Sequence, residues 1–85
     1  MIWKFRLRHG TGEQSVEMPA GSRLLTVQEQ DGLPTLWAIC DEGAASVRRK
    51  LWAYGTGDAM VRTWPYIATF QSGRSVVHYF DLGET

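Results

Sequence analysis

The chain has 85 residues, with nine basic and nine acidic side chains that cancel, one cysteine and two histidines. A zero balance argues against binding polymeric nucleic acid, which rests on a basic surplus. A lone Cys40 excludes an intrachain disulfide, and Cys40 with His9 and His78 falls short of a four-ligand structural zinc. No apolar run approaches the roughly 20 residues that span a bilayer, and no signal-peptide pattern opens the chain, so no membrane association and a cytoplasmic location are expected.

Ile2 to Arg8 alternates, with Trp3, Phe5 and Leu7 on one side and Lys4, Arg6 and Arg8 on the other, which predicts a half-buried strand with a basic wet face. His9 to Glu13 is turn-like. Gln14 to Met18 predicts a second strand, which Pro19 ends or confines to a sheet edge because proline cannot donate to a ladder. Leu24 to Gln30 and Leu36 to Asp41 flank Asp31-Gly32, a strong signal for a tight hairpin, whose turn needs positive φ. The second of these runs is apolar on both faces, so it is expected to be central and covered on both sides, with Trp37 in the core. Glu42 to Ser46 is too short and Gly-broken for a stable helix. Val47 to Tyr54 predicts another strand, with Trp52 and Tyr54 on one face and Leu51 and Ala53 on the other. Gly55 to Pro65 is a long loop for so small a chain. Tyr66 to Gln71 and Ser75 to Leu82 predict a hairpin around Ser72-Gly73.

These elements make one all-β domain over residues 1–85, a small antiparallel sandwich or partly open barrel of six to seven short strands in sequential hairpins. A chain of this length buries only about 60% of its unfolded surface. Its ten aromatic rings, four of them Trp, exceed what such an interior hides. Some are therefore expected in an interface or ligand pocket, and a homo-oligomer is expected.

Candidate sites cluster late in the chain. Gly55-Thr56-Gly57 follows a strand and the basic run Arg48-Arg49-Lys50. It reads either as a plain turn or as a loop whose backbone approaches an anion; it lacks the spacing, Lys and helix of a P-loop. Trp37, Trp52, Trp64 and Tyr54 offer faces for a planar ring, against a competing reading as core. Trp64, beside Arg62 and before Pro65, sits in the loop, where a partner or ligand would cover it. His78 reads as a pocket-wall histidine. Cys40 lies in an apolar run and reads as inert. No carboxylate pair, HxxxH or GxSxG is present, so the chain reads as non-enzymatic and without a cofactor.

The blocks MPAGSRLLTVQEQDGLPTLWAICD, WAYGTG, YIATFQSG and VVHYF, spanning Ile2 to Phe80, resemble a family of short, uncharacterised tailed-phage and prophage proteins. That family shows Met-Pro-x-Gly, Val-Gln-x-Gln, Leu-Trp-Ala, Gly-Thr-Gly and Tyr-Ile-x-Thr-Phe-Gln; the chain departs from it at Ala68, where a Gly is expected. The resemblance implies a phage gene product acting in the host cytoplasm. Small phage accessory proteins without enzyme motifs often counter bacterial defence, as sponges for nucleotide-derived immune signals or as inhibitors bound to a defence protein, and others are virion components. The leading expectation is a sponge for a small anionic nucleotide-type ligand. Its site would use Trp52, Tyr54, Gly55, Thr56, Gly57, Arg62, Trp64 and His78, with Arg49 or Arg74 neutralising phosphate. The alternatives are a host defence protein as direct partner, or a structural accessory role.

Overall fold

A computed structural model describes all 85 residues. The strands are β1 (Ile2–Arg6), β2 (Gly12–Pro19), β3 (Arg23–Gln30), β4 (Leu33–Ile39), β5 (Ser46–Gly55), β6 (Tyr66–Ser72) and β7 (Ser75–Glu84), with no helix. They form two antiparallel sheets, ordered β1-β4-β3 and β2-β5-β7-β6, which do not close into a barrel. The shortest molecular dimension, 16 Å, accommodates two sheets stacked about 10 Å apart. The fold is therefore a sandwich, as the alternation predicts.

The Asp31-Gly32 turn forms as expected. Both residues have positive φ, 53° and 78°, and Gln30 pairs directly with Leu33, the geometry of a two-residue hairpin whose twist matches its strands. Pro19 is the last residue of β2, an edge strand. The second hairpin shifts by one residue: its turn is Gly73-Arg74 rather than Ser72-Gly73, because Ser72 pairs with Ser75 and Gly73 adopts the positive φ of 59°. The expectation of sequential hairpins throughout is overturned. Only β3–β4 and β6–β7 are hairpins; β1 pairs with β4 and β2 with β5, so the chain crosses between the sheets three times, into β2, into β3 and into β5.

The inner faces meet in a core centred on Tyr79, Met18, Leu36, Leu51, Val27 and Pro34, with Phe70, Val77, Ala53 and Ala68 around them. Ala68, paired with Tyr79, fills part of this core with its methyl group.

Trp37 is not in the core. Leu36 and Ala38 share the inner face with Phe5 and Val27, whereas Trp37 pairs with Lys4 and Thr26 on the outer face and is half-buried. The expectation that β4 is central holds, but its outer face is covered only locally. Lys4 Nζ reaches across β4 to Gln30 Oε1 at 2.7 Å, and Thr35 beneath is 2% exposed, while Ile39 is 40% exposed.

Candidate functional site

Period-two alternation on β5 puts Lys50, Trp52 and Tyr54 on the outer face of the four-stranded sheet. The register sets Phe80 opposite Trp52 and His78 opposite Tyr54 on β7, and Tyr66 and Thr69 beyond them on β6. The segment from Thr56 to Pro65 folds back over this face. Tyr54 Oη donates to the Arg62 carbonyl at 3.0 Å, and the Asp81 N–H donates to the Pro65 carbonyl at 2.8 Å. These bonds pin the returning loop at two points.

The loop brings Trp64 onto the sheet. Its ring lies 6.0 Å from Trp52 and 6.5 Å from Tyr54, nearly parallel to the latter at 21°. Phe80 meets Tyr54 and Tyr66 edge-on at 5.8 and 5.9 Å. The Arg62 guanidinium lies 5.4 Å from the Trp64 ring centroid, a cation–π arrangement that leaves its donors free to face a ligand. Trp64 is thus half-buried and packed, not peripheral.

Of the hollows that flank this cluster, two hold a cation or an imidazole. The first, about 490 Å³, has Trp52, Tyr54 and Trp64 as walls, Lys50 and Arg62 as cations and Glu13 as its one acidic side chain. The second, about 310 Å³, lies on the other side of Tyr54 and is bordered by Gly55, Thr56, Gly57, Asp58, His78 and Phe80. There His78 Nε2 lies 2.8 Å from Thr56 Oγ1, His78 Nδ1 lies 3.0 Å from Thr69 Oγ1, and Tyr66 Oη lies 2.8 Å from Thr69 Oγ1. This hydroxyl–imidazole chain ties the loop's first residue to β6. A third hollow, about 460 Å³ between β3 and β6, has Glu29 as its only charged lining residue and is unsuited to an anion.

Of the residues singled out in the sequence, Trp52, Tyr54, Arg62 and Trp64 converge on the first hollow, and Gly55, Thr56, Gly57 and His78 on the second. Gly55-Thr56-Gly57 is built as a turn. The Asp58 carboxylate accepts from the Gly55 N–H at 2.7 Å, and the Asp58 N–H donates to the Gly55 carbonyl at 3.1 Å. The donor an anion would need is therefore already used by a carboxylate, which also repels it.

Arg49 does not reach either hollow. It shares the inner face with Leu51 and grips Asp81 with two hydrogen bonds, of 2.9 and 2.6 Å, while donating to the Ser22 carbonyl at 2.8 Å. The hydrogen bond to Asp81 raises the Arg49 pKa against the opposing effect of burial. Burial pushes Asp81 up, but hydrogen bonds from Arg49 and the Gly83 N–H, with the Arg49 charge, outweigh it and hold the carboxyl below its usual range. Arg74 stands exposed in the β6–β7 turn and lines neither hollow. The cation that sequence reasoning missed is Lys50, although it shares the alternating face of Trp52 and Tyr54.

No curated protein and no solved structure matches the chain. A family match does cover residues 1–85: the chain belongs to the family described as domain of unknown function DUF7352.

Proposed function

We propose that this chain is a non-enzymatic, phage-encoded counter-defence protein that works in the host cytoplasm as a homo-oligomer and sequesters a planar, anionic, nucleotide-type signal between Trp52, Tyr54 and Trp64. The observation that carries the reading is the aromatic-walled hollow of about 490 Å³ with Lys50 and Arg62 beside a single acidic side chain. Its size falls in the range of about 300–1,000 Å³ common to small-molecule sites. Base stacking on an aromatic face contributes about 1–3 kcal/mol, and Arg or Lys completes charge-assisted bonds to phosphate. Sequestration needs binding alone, so no reaction step is required of these residues. The resemblance to tailed-phage proteins supplies the biological setting.

The test is thermal shift with a panel of cyclic mono- and oligonucleotides and ADP-ribose derivatives. A ligand at a hundred times its Kd adds about 2.7 kcal/mol. The expected result is a rise in Tm for one ligand class that Arg62→Ala and Lys50→Ala abolish. No rise across the panel would count against the reading.

One observation favours direct inhibition of a defence protein instead. Val61 and Met60, on the same loop, are 89% and 47% exposed, as apolar anchors for a protein surface would be. Met60→Asp, at a residue that does not line the first hollow, would then abolish capture of the host protein while sparing nucleotide binding.

A further inference from the structure

The outer face of the β1-β4-β3 sheet points away from the aromatic cluster. Its side chains run in rows across the three strands: Ile2, Ile39 and Arg23; Lys4, Trp37 and Thr26; Arg6, Thr35 and Gln28. Three are cations and none is a carboxylate. The only ion pair in the molecule is Arg49–Asp81, so Lys4, Arg6 and Arg23 have no acidic partner. Glu29, the one carboxylate on these strands, falls in the opposite row with Pro34 and accepts from Ser72 Oγ at 2.7 Å, and Asp31 and Asp41 lie beyond the two ends of β4. In a chain of zero net charge, this face therefore carries three cations that no carboxylate on it balances.

Lys4, Arg6, Gln30 and Thr35 border a wholly polar hollow of about 260 Å³, large enough for a carboxylate. Beside it Ile2 is 62%, Ile39 40% and Leu25 39% exposed, and Trp37 is half-buried among them. Leu25 protrudes because the β3–β4 register shifts between Leu24 and Thr26. The face is thus apolar at one end, around Ile2 and Ile39, and cationic at the other, around Lys4 and Arg6, with Trp37 between them.

A second copy laid on this face would set three cations against three, and like charges in apposition oppose association. A nucleic-acid strand would use the cations but leaves Ile2, Leu25 and Ile39 unpartnered, and this face offers only one stacking ring. We infer that it docks an acidic protein segment interspersed with apolar residues. A carboxylate sits in the Lys4–Arg6 hollow, held by charge-assisted bonds, and an apolar side chain covers Ile2, Trp37 and Ile39. The inference is independent of what the aromatic cluster on the opposite sheet binds.

The test is fluorescence anisotropy of the full chain with a short labelled peptide alternating Glu and Phe. A Lys-Phe peptide and an oligothymidylate serve as comparisons. The Glu-Phe peptide is expected to bind and the Lys-Phe peptide not, with affinity falling several-fold from low to physiological salt. Lys4→Glu with Arg6→Glu is expected to weaken binding at least about tenfold, whereas Arg48→Glu, a charge reversal on the other sheet, leaves it unchanged. Circular dichroism checks the fold. Should the double reversal disturb it, Lys4→Gln with Arg6→Gln is expected to weaken binding in the same direction. The inference is overturned by no binding of the Glu-Phe peptide, by equal binding of the two peptides, by indifference to the Lys4 and Arg6 substitutions, or by tighter binding of the oligothymidylate.

Discussion

Arg49→Met tests whether Arg49 is a structural side chain rather than a ligand-binding one. The substitution removes two hydrogen bonds to Asp81 and one to the Ser22 carbonyl, and leaves Asp81 with the Gly83 N–H as its remaining partner. Removing one member of a fully buried ion pair costs about 3–5 kcal/mol. Here the side chains are 12% and 18% exposed, so water relieves part of the loss and about 2–3 kcal/mol is expected. For a domain of this size that lowers Tm by roughly 10–20 °C. The pH dependence has a definite sign. The folded pKa of Asp81 is depressed, so its contribution is fully present above the unfolded value of about 3.9 and is lost as pH falls through the folded value. The stability gap between wild type and Arg49→Met is therefore expected to be widest near neutrality and to shrink below about pH 4. Urea denaturation followed by tryptophan fluorescence at neutral and acidic pH measures both. A variant within about 0.5 kcal/mol of wild type at neutral pH, or a gap that widens on acidification, would show that the Arg49–Asp81 pair does not stabilise the fold.

Tyr79 Oη is buried without a hydrogen-bond partner, and burial pushes the phenol pKa up; Tyr79→Phe is expected to be neutral or to stabilise by up to about 1–3 kcal/mol in chemical denaturation. Trp37→Ala, on the outer face, is expected to cost under about 2 kcal/mol, whereas Leu36→Ala, on the inner face, costs about 2–5, and the same denaturation series ranks them. Trp64→Ala removes stacking on Trp52 and Tyr54 and is expected to cost about 1–2 kcal/mol while leaving the chain folded, read as a modest Tm decrease with an unchanged circular dichroism spectrum.

Strand positions were legible because alternation and turn chemistry are local. Asp31-Gly32 specifies its own backbone, and Pro19 can only end or edge a strand. Pairing was not legible, since the period of two says which residues share a face and nothing of which strand lies beside it. For that reason β1 with β4 and β2 with β5 stayed hidden behind simple hairpins. Trp37 shows the same limit. The run from Leu36 to Cys40 is apolar on both faces, and only the neighbours supplied by β1 and β3 decide which face turns inward. Arg49 carries a signal that is legible in part. An arginine on the face of Leu51 and Ala53 needs a carboxylate, though nothing local points to Asp81. Asp58, three residues beyond Gly55, was equally readable as the cap that makes Gly55-Thr56-Gly57 a turn. The return of Trp64 onto Trp52 and Tyr54 depends on the path of a whole loop, which local pattern does not encode.

Native mass spectrometry of the chain purified from defence-competent bacteria under phage infection tests the proposed sequestration most directly, because it reports subunit count and bound mass together. Sequestration predicts a homo-oligomer carrying a nucleotide-sized mass that is lost from the folded Arg62→Ala variant. A wild-type chain free of any small bound mass, or a mass that Arg62→Ala retains in full, would contradict it.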